Sequence, residues 1–275
     1  MFTENTFLDL DAYFERIEFT SRPQVNLETL RALQAAHTTH IPFENLDVLL
    51  GKPIRIDLEG VQEKLVRGRR GGYCFEQNAL YSAALERLGF RVTRLLGRVR
   101  LGTTRVLPRT HMMLKVELDG ASWITDAGFG GWGLIEPILL EAERNFVQGA
   151  WTYRLAREGA YWALQCPACP AGPDLYAFTL EPQLPVDYEP ANHYTSTHPN
   201  SRFVQTLTVQ LPSRDRRRVL VNRELRTFHA GGVELEVIPS EEALLEKLAN
   251  DFGLRMPPGT RFRPTMEASG AASSF

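Results

Sequence analysis

A cysteine follows directly after a glycine pair in the stretch Arg70-Gly71-Gly72-Tyr73-Cys74-Phe75-Glu76-Gln77-Asn78, at the predicted start of a helix. A helix N-terminus carries unpaired N–H groups and partial positive charge, and both stabilise a thiolate. Cys74 is therefore a candidate nucleophile that would act through a covalent thioester. Such a nucleophile needs a base, and the base needs a group that orients it.

A predicted hairpin supplies candidates for both partners. Residues 111–118 alternate between apolar and polar types, Asp119-Gly120 is a strong two-residue turn, and residues 121–126 form the return strand. This register puts His111 and Asp126 on one face as diagonal neighbours, about 7–8 Å apart at the backbone. A hydrogen bond between the two side chains is feasible at that separation. The opposite face is apolar and predicts a core; it carries Met112, Leu114, Val116, Leu118 and Trp123.

The part of the chain that leads to the nucleophile is predicted to be helical. Apolar residues recur there at helical spacing over 10–17, 27–33 and 58–65. A fourth helix is predicted from Cys74 to Gly89. Strands are predicted at 92–101, in the hairpin, between 134 and 190, at 207–211 and at 233–237, and a last helix runs from Ser240 to Phe252. Since helices come first and antiparallel strands follow, we predict an α+β fold. The tail 257–275 is small and polar and is predicted to be disordered.

Composition excludes several classes of protein. The 275 residues carry a net charge of −2, which argues against a nucleic-acid partner, and 43% of them are hydrophobic, enough for a proper core. No apolar run of about 18 residues predicts a membrane span. The acidic N-terminus has no signal-peptide pattern, so we expect a cytoplasmic protein. The oligomeric state is not readable from the sequence.

Two further cysteines, Cys166 and Cys169, form a Cys-x-x-Cys pair. A zinc site would need two more ligands, and His193 and His198 could join only through the fold. The flanking prolines do not suggest a redox helix, so two incidental thiols in a loop are the favoured interpretation and no metal is expected. The arginines at 91–109 could offer charge to the phosphates of a ligand, but a solvated strand edge is the favoured interpretation. The cluster Arg214, Arg216, Arg217 and Arg218 is interpreted as a turn surface.

Four stretches together resemble the signatures of the arylamine N-acetyltransferase family. They are residues 70–78 around Cys74, residues 41–47 (Ile-Pro-Phe-Glu-Asn-Leu-Asp), residues 125–131 (Thr-Asp-Ala-Gly-Phe-Gly-Gly) and residues 192–199 (Asn-His-Tyr-Thr-Ser-Thr-His-Pro). Ala127 stands where valine is usual, and His193 where an aromatic residue is usual. The resemblance spans about residues 5–255 in unbroken order.

The resemblance implies three parts around a cysteine-protease-like core: a helical bundle over 1–90, an antiparallel β-barrel-like domain over 91–190 and an α/β lid over 191–275. It implies a catalytic triad of Cys74, His111 and Asp126. It also implies a ping-pong acyltransferase of xenobiotic metabolism, in which acetyl-coenzyme A acetylates the cysteine. An arylamine, arylhydrazine or N-arylhydroxylamine then takes the acetyl group.

Further site residues follow from the same resemblance. Coenzyme A contacts are expected at Gly128, Phe129, Gly130, Gly131, Thr197 and Phe203, and the turn at 128–131 would let phosphates approach backbone N–H groups. Contacts with the aromatic acceptor are expected at Phe43, Phe129 and Phe203. Glu44 and Arg70 are expected to form a structural charged pair that braces the nucleophile region.

Two other functions remain open at this stage. A cysteine hydrolase or amidase uses the same residue types as an acyltransferase, since Cys–His–Asp spacing alone is only moderately specific. A non-catalytic binding protein of the same fold is the third possibility, because a lone cysteine is often a small buried hydrophobe. The fate of the acyl group distinguishes the first two, and the reactivity of Cys74 distinguishes the third.

Overall fold

The computed structural model describes residues 8–263 and residue 265. Eight α-helices lie in this part of the chain, mostly before residue 90, as predicted. They are α1 (Leu10–Arg16), α2 (Leu27–His40), α3 (Leu46–Leu49), α4 (Leu58–Val61), α5 (Cys74–Arg87), α6 (Tyr188–Thr197), α7 (Arg202–Gln205) and α8 (Glu241–Phe252). A π-helical turn at Gln62–Arg67 continues α4, and a 3₁₀ turn at Pro185–Asp187 precedes α6.

The strands form two antiparallel sheets. Eight strands build the first, barrel-like sheet in the order β5-β4-β3-β2-β9-β8-β7-β6. They are β2 (Arg91–Val99), β3 (His111–Leu118), β4 (Ala121–Thr125), β5 (Ile138–Leu139), β6 (Asn145–Gln148), β7 (Trp151–Glu158), β8 (Tyr161–Gln165) and β9 (Asp174–Phe178). The second sheet has the order β1-β10-β11-β12-β13, from β1 (Phe43–Glu44), β10 (Thr208–Pro212), β11 (Arg216–Val221), β12 (Glu224–His229) and β13 (Gly232–Val237). The α+β prediction is confirmed.

The β3–β4 hairpin has the predicted register, with Leu118 opposite Ala121 and Leu114 opposite Thr125. Asp119 and Gly120 both have positive φ, 51° and 76°, as a type I′ turn requires. Both faces of β3 are buried over residues 111–114, whereas Lys115 and Glu117 further along are only partly buried. One face packs on the core formed with the helices, whereas Met113 belongs to a second core inside the barrel-like sheet. The face that carries His111 is therefore an interior face too.

The helical part and the second sheet are joined by β1, which the helical pattern did not predict. Phe43 pairs with Gln210 and Glu44 pairs with Val209. Two residues are too few to show the alternation that identifies a strand in a sequence. Through β1, the segment that precedes the nucleophile becomes the edge of the C-terminal sheet.

The interpretation of the arginine cluster as a turn surface is wrong for Arg217, which is fully buried on β11. Its guanidinium stacks on the Trp151 ring at 4.3 Å and donates to the Tyr153 hydroxyl at 2.9 Å. Burial lowers the pKa of Arg217. Because Arg216, Arg217 and Arg218 are all polar, the sequence shows no alternation of apolar and polar residues at this point of the strand. The side chain of the middle arginine nevertheless points inward.

The tail predicted to be disordered begins at Pro257, and residues 264 and 266–275 lie outside the described part. Before that, Phe262 packs against the core between the second sheet and α8, and the Arg263 N–H donates to the Leu49 carbonyl at 3.1 Å. This first part is therefore docked on the protein. Within the described residues, every helix is too short or too polar to cross a lipid bilayer.

The N-cap of α2 provides a test of the helical part. The Asn26 Oδ1 accepts from the Thr29 N–H at 2.8 Å. We expect Asn26→Ala to lower the free energy of unfolding by about 1 kcal/mol, a fall in Tm of about 2–4 °C for a chain of this size. Thermal unfolding followed by circular dichroism measures it. Asn26→Asp, which caps equally well, is the matched control, and equal Tm values for the two variants would contradict this role.

Candidate active site

Cys74 is the first residue of α5 and is 3% exposed. The Gly71-Gly72 pair ahead of it lies against the segment that leads into β1. A Cβ on Gly71 would be 2.1 Å from the Pro42 carbonyl oxygen, so no larger residue fits there. The Gly72 N–H donates to that same oxygen at 3.3 Å, and Gln77 Nε2 donates to it at 2.9 Å. The loop before the nucleophile is therefore fixed from both sides.

A network of buried charges holds the same loop. Arg70 lies 2.7 Å from Glu44 and 3.2 Å from Asp47, which confirms the predicted Glu44–Arg70 pair. Lys64, carried by the π-helical turn, bridges Asp47 at 3.1 Å and Glu76 at 2.7 Å. Glu76 also accepts from the Tyr73 N–H at 3.0 Å. Burial raises the pKa of Glu76 to about 7, against the lowering effect of Lys64.

His111 and Asp126 meet as the hairpin register predicts, with Nε2 and Oδ2 2.7 Å apart. Both are buried. Burial alone lowers the pKa of His111, but Asp126 and the Cys74 side chain outweigh it and raise the pKa above its ordinary value. Burial likewise raises the pKa of Asp126, but His111 and two further donors hold it below its usual range. The pair is an imidazolium and a carboxylate at neutral pH.

Asn78 holds this pair in place, a role that the sequence reasoning missed. Its Nδ2 donates to Asp126 Oδ1 at 3.0 Å and to the Met112 carbonyl at 2.8 Å, while its Oδ1 accepts from the Ala127 N–H at 3.1 Å. Asn78 lies four residues after Cys74 on α5, so both face the same side of the helix. That spacing is the signal that could have identified it.

The Gly128 backbone packs against the nucleophile. A Cβ on Gly128 would lie 2.9 Å from Cys74 Cα and 2.6 Å from Asn78 Nδ2. The Gly128 N–H donates to Asp126 Oδ1 at 2.9 Å, and the Gly131 N–H donates to Gln210 Oε1 at 2.6 Å. These two N–H groups are therefore used inside the protein.

A cleft of about 230 Å³ opens above the cysteine. Among the residues that the sequence predicts for the site, Cys74, His111, Gly128, Phe129, Phe43 and Phe203 line it, whereas Gly130, Gly131, Thr197 and the buried Asp126 do not. The ring centres of Phe129 and His111 are 5.0 Å apart, and those of Phe43 and Phe203 are 5.9 Å apart. Thr197 is exposed at the end of α6, where its hydroxyl donates to the His193 carbonyl.

Several lining residues were not predicted from the sequence. They are Val99, Leu101, Leu107, Pro108, Thr110, Trp132, Tyr194, Thr195, Asn200, Ser201, Arg202, Thr208 and Gln210. Tyr194 and Thr195 fall inside the 192–199 stretch that carries the resemblance. The others come from four segments that are separate in the sequence, and only the folded structure brings these segments together around the cleft.

The two remaining cysteines lie away from this cleft. Cys166 and Cys169 are free and buried in the turn between β8 and β9, and burial raises the pKa of both thiols, that of Cys169 to about 12. A raised pKa favours the unreactive thiol form. No group of three or more His, Cys, Asp or Glu side chains suited to a metal ion occurs within 8–263 and 265.

Comparison with known proteins agrees with this geometry. A model of the N-acetyltransferase family matches residues 26–260. The arylamine N-acetyltransferase of Mycolicibacterium smegmatis is 41% identical over 253 residues, covering 90% of this chain and 92% of the relative. The arylamine N-acetyltransferase / N-hydroxyarylamine O-acetyltransferase of Salmonella typhimurium is 39% identical, covering 89% and 88%.

Solved structures extend the agreement to the fold. The structure of Mycobacterium marinum arylamine N-acetyltransferase in complex with CoA superimposes with a TM-score of 0.84 at 36% identity, covering 89% of this chain and 92% of that one. This chain belongs to the arylamine N-acetyltransferase family. The resemblance seen in the four sequence stretches is confirmed, and so is the fold class that it implied.

The charge state of His111 can be tested directly. We expect ¹⁵N imidazole shifts to show His111 protonated at pH 7. In Asp126→Asn the carboxylate is gone while burial stays, so the pKa of His111 should fall to or below its ordinary value of about 6.5. The exposed His193 provides an internal reference in both proteins. An imidazolium that persists in Asp126→Asn above about pH 8 would contradict the assignment of Asp126 as its main partner.

The raised pKa of His111 and the lowered pKa of Asp126 also determine how the stability of the fold depends on pH. The folded-state pKa of His111 is raised, so the stability from its cation is complete below about pH 6.5 and is lost as pH rises through the raised value. The pKa of Asp126 is lowered, so its contribution is lost as pH falls through the lowered value. The pair therefore stabilises the fold most between the ordinary pKa values of the two groups, from about pH 4 to about pH 6.5.

Proposed function

We propose that this protein transfers an acetyl group from acetyl-coenzyme A to an arylamine, arylhydrazine or N-arylhydroxylamine through a thioester on Cys74. The observation that carries the proposal is a buried His111–Asp126 pair beside a cysteine at a helix N-terminus, in a cleft walled by aromatic rings. The M. marinum neighbour holds CoA, and the names of the relatives supply the acceptor class. They do not favour a hydrolase.

In the first half-reaction, Cys74 Sγ attacks the thioester carbonyl carbon as a thiolate. The raised pKa of His111 means that the imidazolium is present beside it as counter-ion. N–H groups of the first turn of α5, which have no acceptor within the helix, can face the developing oxyanion. When the tetrahedral carbon collapses, the bond to the coenzyme sulfur breaks and His111 gives that sulfur its proton.

In the second half-reaction, the acceptor amine attacks the acetyl carbon on Cys74. His111 is neutral after the first half-reaction and takes the proton that the amine nitrogen must lose. The carbon–sulfur bond then breaks, and Cys74 returns as a thiolate beside the imidazolium. Asp126 stays a carboxylate throughout, because its task is to orient the ring and stabilise its cation.

The walls of the cleft favour a flat aromatic acceptor over water. Phe43, Phe129 and Phe203 contribute ring surface, and the volume of about 230 Å³ lies below the about 300–1,000 Å³ of pockets for drug-sized ligands. One ring with small substituents fits that space. A thioester beside apolar walls is also less accessible to hydrolysis.

For the coenzyme, Phe129 and Phe203 remain proposed contacts because they line the cleft. The glycines at 128, 130 and 131 would help the coenzyme to bind because they have no side chains that fill the space it needs. The N–H groups of Gly128 and Gly131 already have acceptors inside the protein. Thr197 is proposed as an outer contact at the end of α6. The free thiols suit a reducing compartment, so we propose a cytoplasmic reaction.

The half-reactions can be separated experimentally. We expect acetyl-coenzyme A alone to add one acetyl group to the protein, located at Cys74 by peptide mass spectrometry. An arylamine should then remove it and appear as the acetylated product. Cys74→Ser should lower kcat/KM by at least about 1,000-fold. Cys166→Ser, a thiol outside the cleft, is the matched control and should still be acetylated at Cys74.

p-Nitrophenyl acetate distinguishes transfer from hydrolysis. Release of nitrophenol should accelerate when any of several arylamines is added, because the amine empties the acetylated cysteine faster than water does. A rate that stays the same with every amine, together with acetate as the only product, would identify a hydrolase and overturn the proposal.

A further inference from the structure

Arg217 is a fully buried cation without an anionic partner. Its Nη2 donates to the Tyr153 hydroxyl, but Nε and Nη1 are buried without a hydrogen-bond partner among the described residues. The ionisable groups that act on its charge there are Tyr153 and Cys166. Burial raises the pKa of both, so both are neutral at neutral pH. A guanidinium keeps its proton in proteins, so an uncompensated positive charge lies inside the barrel-like sheet.

The thiols of Cys166 and Cys169 lie beside this cation. The register of β7 and β8, continued by one residue, places Cys166 opposite Tyr153, the residue whose hydroxyl Arg217 contacts. The Cys169 N–H donates to the Cys166 carbonyl at 2.9 Å, which closes a tight turn between the two cysteines. Both belong to the same buried cluster as Tyr153. The fold therefore brings two thiols and one buried positive charge together.

The surroundings of the two sulfurs favour the thiolate form against the effect of burial. Burial raises the pKa of both thiols, but Arg217 and the N–H groups of Ala168 and Cys169 lower the pKa of Cys166. The Ala171 N–H lowers the pKa of Cys169. Positive charge and hydrogen-bond donors both stabilise an anionic sulfur. A metal ion that replaces the thiol protons would complete this arrangement, since a coordinating thiol is deprotonated.

The charge of Arg217 indicates which metal ion fits. Two thiols or a disulfide are neutral, and a divalent ion with two thiolates is neutral as well. A monovalent ion with two thiolates carries one negative charge, which balances the guanidinium. Within 8–263 and 265, no His, Cys, Asp or Glu joins the pair to make a group of three ligands, whereas structural zinc sites use four. Among the monovalent ions, thiolates select Cu(I).

We propose that Cys166 and Cys169 bind one Cu(I) ion between their sulfurs and that Arg217 neutralises the resulting dithiolate. Each sulfur gives its proton to solvent and forms one bond to the metal, which stays Cu(I), so two protons leave for each ion bound. The sulfurs then serve as acceptors for the buried guanidinium N–H groups.

The site has an entry path that is separate from the active-site cleft. Cys169 is 5% exposed, and the residues that follow it, 170–174, line a surface groove of about 970 Å³. Neither cysteine of the pair lines the cleft above Cys74. The inference therefore does not depend on the proposed function.

Titration of Cys74→Ser with Cu(I) tests the site, because the pair provides the only two thiols of this variant. Without oxygen, we expect the variant to take one equivalent of Cu(I) from a coloured cuprous chelator, and copper X-ray absorption should show two sulfur ligands. Cys74→Ser/Cys166→Ser and Cys74→Ser/Cys169→Ser should not compete with the chelator. If either double variant binds Cu(I) as tightly as Cys74→Ser, or if Cys74→Ser prefers Zn(II), the inference is wrong.

The part played by Arg217 is tested in the same Cys74→Ser background. Arg217→Met removes the charge and keeps a long apolar side chain, and we expect the affinity for Cu(I) to fall about 10- to 100-fold. Arg217→Lys keeps the charge and should lose less. Circular dichroism of the metal-free proteins ensures that folded proteins are compared. Equal affinities in all three would contradict the role of Arg217.

Thermal unfolding keeps the inference testable if the Arg217 variants do not fold. Cu(I) should raise the Tm of Cys74→Ser, because it binds the folded state, and should leave that of Cys74→Ser/Cys169→Ser unchanged. The same Tm with and without Cu(I) in Cys74→Ser would overturn the proposal.

Oxidation distinguishes the metal site from a disulfide. We expect the metal-free pair to stay reduced in glutathione disulfide, because a neutral disulfide leaves Arg217 uncompensated. If mass spectrometry instead shows the loss of two hydrogen atoms at Cys166 and Cys169, and the reduced protein takes no Cu(I), the pair is a redox site and the inference fails.

Discussion

The hydrogen bond from Asn78 Nδ2 to Asp126 Oδ1 is the contact on which the site depends, because it joins the nucleophile helix to the barrel-like sheet. Cys74 belongs to α5, whereas His111 and Asp126 belong to the β3–β4 hairpin. Nothing in either element alone sets their separation. The buried carboxylate accepts from His111, Asn78 and the Gly128 N–H, so its charge is satisfied only when helix and hairpin are docked.

A second group of buried charges sets the position of the helix itself. The acids Glu44, Asp47 and Glu76 alternate with Lys64 and Arg70, and their ion pairs link the 44–47 segment and the π-helical turn to each other and to the start of α5 and the loop before it. Losing one partner would leave a buried charge uncompensated, which is more costly than the pair is favourable. The network therefore gives the loop one defined position rather than a large net stability.

The sequence was sufficient where chemistry depends on local pattern. Asp119-Gly120 fixes the hairpin register, and the register alone brings His111 to Asp126. The glycine pair and the helix period place Cys74 at the first position of α5. The fold class followed from the order of helices and strands, and the family from four ordered stretches.

The rest could not be predicted, because it depends on contacts between distant segments. Lys64 reaches Asp47 and Glu76 from the π-helical turn after α4, and Arg217 is buried where β11 meets Trp151 and Tyr153 of β7. Phe43 becomes both a strand residue and a cleft wall by pairing with β10. In each case, the type of the residue does not indicate which distant residue it contacts in the fold.

The arginines show what determines the chemistry of a residue here. Arg70 is held by two carboxylates and acts as a brace. Arg217 has an aromatic face and one hydroxyl, so it packs as part of the core. Arg202 lines the cleft, is partly exposed and has neither kind of partner among the described residues. The residue type is the same at all three positions, so the surroundings that the fold provides decide the role of each arginine.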